Sequence, residues 1–144
     1  MNYLLDTDAI SELIKPRPNP GLVAWLSGVD EDRTHLSAVT MGELRRGINR
    51  LPPDGNRRTL LEHWLDNDLP ARFERRLLSA DIAVSLAWGA LRAAADRSGR
   101  SVDPIDALIA ATAIANRLTV VTRNIRHFEV IDVPVLCPWD AEHT

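Results

Sequence analysis

Short apolar runs that end on polar residues, separated by segments with helical spacing, constrain this chain most. Tyr3-Leu4-Leu5 runs into Asp6, Thr34 to Val39 into Thr40, and Leu118 to Thr122 into Arg123-Asn124. Val133 to Cys137 is a further short run, and Arg75 to Ser79 a weaker one. Runs this short suit strands rather than helices. Between them the apolar residues recur at helical spacing and the helix signals are in place. Asp8 can cap a helix over residues 9–15, which Pro16 and Pro18 end, and Pro20-Gly21 restarts one through Leu26. Thr40 can open a helix to Arg50, with Glu43 at capping-box spacing. Helices are also expected over 56–67 and 81–98. Asp103-Pro104 starts another, which runs to Asn116 with a cap followed by proline at the first helical position.

Strands alternating with helices imply an α/β fold: a parallel sheet of about five strands with helices on both faces and right-handed crossovers. The 144 residues fit one domain, residues 1–144, with a full core. No linker, repeat or low-complexity tract interrupts them. No apolar run reaches the length of a membrane helix, and the start lacks the basic and cleavage features of a secretory signal, so no membrane association is expected. The single cysteine, Cys137, cannot form an internal disulfide and is expected to be buried and inert. A reducing cytoplasm is the expected compartment.

In such a sheet each helix begins at the edge where strands end, and ligands bind along that edge. Asp6 closes the first strand, Glu43 lies early in the helix after the second, and Asp106 lies in the first turn of the helix that returns to the fourth. Thr122, Arg123 and Asn124 follow the fourth strand, so all of these residues are expected on one edge. Each acid alone has a structural role open to it. Asp6 or Asp8 can cap the first helix, Glu43 can complete a capping box with Thr40, and Asp106 can answer the helix dipole. Together, three carboxylates on one edge repel one another unless a cation neutralises them. A donor set of carboxylates without cysteine or histidine suits Mg2+ or Mn2+ better than zinc. The net charge of −3 does not by itself call for a nucleic-acid partner. Sixteen of the seventeen basic residues are arginine, however, and they cluster at Arg45-Arg46 with Arg50, at Arg57-Arg58, and at Arg72 with Arg75-Arg76. Arginine forks match phosphate oxygens, but for any one cluster a solvated helix face is the first explanation.

Four stretches in order resemble the PIN-domain ribonucleases, in particular the VapC-type toxins of bacterial toxin–antitoxin pairs and the related FitB-like proteins. They are Tyr3-Leu4-Leu5-Asp6-Thr7 with Ser11-Glu12-Leu13, Leu36 to Leu44 with Gly47-Ile48, Asp106 to Ala113, and Leu118 to Asn124 with Phe128. The resemblance covers nearly the whole chain. It implies a PIN-like parallel sheet and an Mg2+-dependent endoribonuclease, with Mn2+ as a possible substitute, that hydrolyses phosphodiesters in a structured RNA such as tRNA. Carried over residue by residue, the catalytic and metal-binding acids are Asp6, Glu43 and Asp106. Asn124 stands at a fourth catalytic position where many members have Asp, and His127 where an acid often precedes the phenylalanine. On this reading Asn124 offers a carbonyl oxygen or holds a water, and His127 is a surface residue. Thr7 and Thr122 would orient water by their hydroxyls. Glu12 would support the acids from one turn beyond Asp8, and Asp103 would cap its helix. Arg45, Arg46 and Arg123 would hold flanking phosphates. The resemblance also implies a homodimer and a cognate VapB-type antitoxin that covers the site.

Two readings from other classes stand beside it. Asp6-Thr7-Asp8 loosely fits the start of a haloacid-dehalogenase-like phosphatase, but that chemistry and a phosphoacceptor receiver both want a later lysine. Lys15 is the only lysine, and it lies on the first helix. The other reading is a non-catalytic PIN-fold partner in a DNA-bound toxin–antitoxin repressor complex.

Overall fold

The computed structural model describes residues 1–140. Five parallel strands lie in the order β3-β2-β1-β4-β5: β1 (Tyr3–Leu5), β2 (Thr34–Ser37), β3 (Leu77–Leu78), β4 (Thr119–Val121) and β5 (Val135–Leu136). The chain builds outward from β1 on one side through β2 and β3, then crosses to β4 and β5 on the other. The order of travel reverses between β1 and β4, and that crevice is where ligands sit in open α/β sheets. Registration there is Tyr3 with Thr119, Leu4 with Val120 and Leu5 with Val121, and the ladder continues as Asp6 N–H donates to the Val121 carbonyl at 2.9 Å.

The period of two along the central strands divides the core. Leu5, Val121 and Leu36 face helices α1 (Thr7–Leu13), α2 (Pro20–Gly28), α3 (Ala38–Asn49) and α5 (Leu69–Phe73), with Leu44, Ile48 and Phe73 in the same cluster. Leu4 and Val120 face the opposite cluster of Ile109, Ala110, Ala113 and Phe128, built on α7 (Pro104–Asn116), against which α6 (Ile82–Arg97) packs. Both faces of the sheet are therefore covered, as the alternation of strands and helices implied. No helix among the described residues is long and apolar enough to cross a membrane.

Three helices depart most from the sequence reading. Helix α1 begins at Thr7 and is capped by Asp6, not Asp8, because the extended backbone at Asp6 lets its carboxylate accept from the Thr7 N–H. Helix α3 begins at Ala38 and is capped by Ser37, whose hydroxyl accepts from the Val39 N–H. Thr40 and Glu43 therefore form no capping box: both lie inside the helix and turn toward α1. The helix expected over 56–67 is α4 (Asn56–His63), which widens into a π turn over Trp64–Asp68 and continues as α5. The polar segment at 31–33 is a single 3-10 turn. Cys137 is half-buried rather than fully buried.

The last described residues strap the fold across α2. The buried Asn19 caps α2 through its Oδ1, which also accepts from the Asp140 N–H at 2.8 Å, and its Nδ2 donates to the Asp140 carbonyl at 3.2 Å. Gly21 lies under this strap. A Cβ there would stand 2.5 Å from the Asp140 nitrogen and 2.6 Å from the Pro138 oxygen, both backbone atoms that have little room to yield. Gly21→Ala should destabilise the protein by about 1–3 kcal/mol, the usual cost of overpacking. Urea denaturation should show the lower midpoint with an unchanged slope.

Candidate active site

The site sits where β1 and β4 end side by side. β1 delivers Asp6, only 7% exposed, and β4 delivers the fully buried Thr122. Asp6 Oδ1 accepts from the Thr7 N–H at 2.8 Å and Oδ2 from the Thr122 hydroxyl at 2.9 Å. The first turn of α1 places Asp8 against the same hydroxyl, at 3.1 Å. Asp8 Oδ2 also accepts from the Arg123 backbone N–H at 3.0 Å and from Asn124 Nδ2 at 3.1 Å. Asp8 Oδ1 is buried and has no hydrogen-bond partner among the described residues.

Helix α3 brings Glu43 from the β2 side. Its Oε1 takes a short hydrogen bond from the Thr7 hydroxyl, which lies 3.1 Å from that of the buried Thr40. Helix α7 brings Asp106. Asp103 caps this helix, accepting from the Ile105 N–H at 2.8 Å and the Asp106 N–H at 3.1 Å. The half-buried Asp106 carboxylate meets the exposed His127, with Oδ2 3.3 Å from its Nδ1.

The carboxyls of Asp6, Asp8 and Asp106 all titrate above the usual carboxylate range. Asp6 is pushed up to about 7, first by burial and then by the negative charge of Asp8. The hydrogen bonds from Thr122 and Thr7 oppose the rise, and Asp106 adds to it. Asp8 is raised by burial, against the hydrogen bonds it receives. Asp106 is raised by burial, then by Asp103, with His127 opposing and Glu43 and Asp8 adding. The four acids therefore lie in one electrostatic field fed from β1, α1, α3 and α7.

Glu12 is not part of that field's hydrogen bonding. It binds Lys15 Nζ at 2.9 Å and the Asn19 N–H at 3.0 Å, tying α1 to the start of α2. Most arginine clusters are engaged within the fold. Arg45 pairs with Asp66, Arg58 with Glu62, and Arg72 with Glu31. Arg76 binds the Thr34 carbonyl at 2.8 Å and stacks over Phe73. Beside the acids, a cleft of about 400 Å³ is lined by Arg123, Asn124, Arg126 and His127. The residue that sequence reasoning missed is Asp8, which it took for a helix cap. The available signal was the Asp-x-Asp spacing at a strand end, weighed only as the start of a phosphatase motif.

The family model of the PIN domain matches residues 3–133. The chain belongs to the PIN-domain family. Toxin FitB of Neisseria gonorrhoeae is 38% identical over 94% of this chain and 97% of its own length. VapC ribonuclease Y4jK of Sinorhizobium fredii is 35% identical over 95% of this chain and 97% of its own. The tRNA(fMet)-specific endonuclease VapC of Shigella flexneri is 29% identical over 90% of this chain and 91% of its own. Among solved structures, FitAB bound to the IR36 DNA fragment superposes with a TM-score of 0.87 at 35% identity, covering 98% of each chain. The parallel order β3-β2-β1-β4-β5 is thus the PIN-like sheet that the resemblance implied.

The chemistry of this PIN domain's acids fits a hard divalent cation. Every donor is an oxygen, one buried carboxylate oxygen lacks a hydrogen-bond partner among the described residues, and the acids raise one another's proton affinity. Among the described residues, no three acids, histidines or cysteines stand as a ready-made metal cage. The carboxylates are instead turned onto Thr7, Thr122 and His127. The charge repulsion should appear in stability. An unfolded Asp6 titrates near 3.8 and the folded one at about 7. Between those values the native state holds more protons, so its stability falls as pH rises, and the loss is complete above about 7. In EDTA, the thermal midpoint should drop between pH 5 and pH 8, and Asp6→Asn should flatten that slope in calorimetric scans.

Proposed function

We propose that this PIN domain is a divalent-metal-dependent endoribonuclease, the toxin of a type II toxin–antitoxin pair, acting on structured RNA such as tRNA. The observation that carries this is the concentration of Asp6, Glu43 and Asp106 at the β1–β4 crevice of a chain in this family, with Asp6 raised to about 7. Crowding one buried and two half-buried carboxylates destabilises the fold in the absence of a cation, which points to function rather than packing. The relatives named as ribonuclease and as tRNA(fMet)-specific endonuclease support RNA as the substrate class.

Asp6, Glu43 and Asp106 would hold the ion, Mg2+ with Mn2+ as substitute. Once bound, it supplies Lewis-acid stabilisation of the charge that builds on the phosphoryl oxygens. The chain's own residues do the rest. Thr122 and Thr7 hold the carboxylates of Asp6 and Glu43 in place by hydroxyl hydrogen bonds. His127 fixes the outer oxygen of Asp106. Arg123 and Arg126 line the adjoining cleft, where flanking phosphates would run.

The cognate partner is a VapB-type antitoxin. An apolar groove of about 530 Å³ supports a docked helix, with Leu13, Ile14, Val23, Leu26, Trp64 and Phe73 in its lining. Ile82 and Leu86, exposed one turn apart on α6, support a homodimer. The DNA-bound FitAB structure supports a place for this chain in a DNA-bound complex with its antitoxin. The acidic edge favours catalysis over a purely structural role there.

The purified chain should cleave tRNA in Mg2+ or Mn2+. Asp6→Asn or Asp106→Asn should lower the cleavage rate by more than ~100-fold while circular dichroism stays unchanged. Full activity in either variant, or in excess EDTA, would overturn the metal mechanism. In parallel, Mn2+ titration calorimetry should show weaker binding to Glu43→Gln, and an unchanged isotherm would remove Glu43 from the metal set.

A further inference from the structure

We propose that Asp8 is a fourth carboxylate of the cation site and that Asn124 is its positioning residue. The proposal rests on the metal-dependent reading above and adds two residues to it. Asp8 is the second residue of α1, where an acid ordinarily answers the helix dipole or caps the helix. Neither role explains the reach of its side chain across the crevice. The cap is already made by Asp6. The Asp8 side chain instead reaches across to the loop after β4, where three donors converge on a single oxygen. Thr122 Oγ1, the Arg123 N–H and Asn124 Nδ2 all lie 3.0–3.1 Å from Asp8 Oδ2. Those contacts fix the plane of the carboxylate and leave Oδ1 buried, with no hydrogen-bond partner among the described residues.

An orphaned buried oxygen destabilises the fold, and more so when it is charged. The Thr122 hydroxyl deepens the deficit, because its one proton faces both Asp6 Oδ2 and Asp8 Oδ2. A cation held by Asp6 and Asp8 would relieve both. The same geometry gives Asn124 its role. Its backbone N–H bonds back to Thr122 Oγ1 at 3.0 Å, which sets the loop, and its amide donates to Asp8. A carboxylate at 124 in this arrangement would repel Asp8, whereas the amide holds it. The acid that the sequence lacks at 124 enters the site from the other side of the crevice, at position 8.

Mn2+ titration calorimetry on the full chain tests this. Asp8→Asn, which keeps the shape of the side chain, should weaken Mn2+ binding by more than about tenfold, and Asn124→Ala by about tenfold. Raising Mn2+ should restore cleavage of tRNA by Asn124→Ala, a response that a purely structural defect would not give. Combining Asp8→Asn with Asn124→Asp moves the charge across the same hydrogen bond and should recover part of the lost affinity. Melting in EDTA should leave Asp8→Asn at or above wild type, because one of two repelling acids is gone. If Asp8→Asn melts lower, the exchanged pair decides: recovered affinity upholds the proposal, and no recovery overturns it. Wild-type Mn2+ affinity in Asp8→Asn, with the wild type binding and cleaving normally, overturns this proposal alone. Wild-type affinity in Asn124→Ala overturns the positioning role. A wild type that neither binds Mn2+ nor cleaves RNA overturns the metal reading and this proposal with it.

Discussion

The parallel pairing of β1 with β4 is the constraint on which the rest of the site depends. It sets Leu5 beside Val121 and therefore Asp6 beside Thr122, two residues that are 116 positions apart in sequence and 2.9 Å apart in space. The pairing is secured from both sides of the sheet. Leu4 and Val120 are fully buried in one core cluster, and Leu5 and Val121 are buried in the other. A register slip of one residue would exchange those faces and carry the carboxylate away from the hydroxyl. The hydrophobic core thus holds the polar crevice in register.

Holding acids in a buried crevice works against folding, and the surrounding residues limit the penalty without removing it. Each carboxylate is met by a neutral donor: Asp6 by Thr122 and the Thr7 N–H, Glu43 by the Thr7 hydroxyl, Asp8 by Arg123 and Asn124 through N–H groups. His127, at the exposed rim, stands against Asp106. Neutral dipoles orient a carboxylate but do not cancel its charge, so Asp6 remains raised despite two hydrogen bonds. A site built this way is rigid where aim matters and electrostatically unsatisfied where a cation would act.

Much of the architecture was legible because its signals are local. Asp103-Pro104 announces the start of α7, and the structure shows Asp103 capping it. Leu118 to Thr122 reads as a strand from its β-branched residues, and β4 lies inside that span. The errors arose where two local signals competed. Asp6 and Asp8 are both competent caps, and only the extended backbone at Asp6 decided between them. Thr40 with Glu43 has capping-box spacing, but Ser37 took the cap three residues earlier and turned that pair toward Thr7. The continuation of the helix after Asn67 through a π turn follows from burying Leu65, Leu69 and Phe73 against the same core, a tertiary demand with no local mark.

The sequence by itself determined the alternation of strands and helices, hence the parallel sheet, hence the edge on which Asp6, Glu43 and Asp106 fall. These follow from periodicity and from the handedness of crossovers, which depend on short stretches of chain. The tertiary structure alone decided which oxygen of which acid meets which donor. It left Asp8 Oδ1 without a hydrogen-bond partner among the described residues, set the Asn124 amide N–H onto Asp8, and set His127 against Asp106. Such contacts join residues more than a hundred positions apart, or across separate elements, at a precision of tenths of an ångström. Only the packing of the two cores against the sheet fixes distances on that scale.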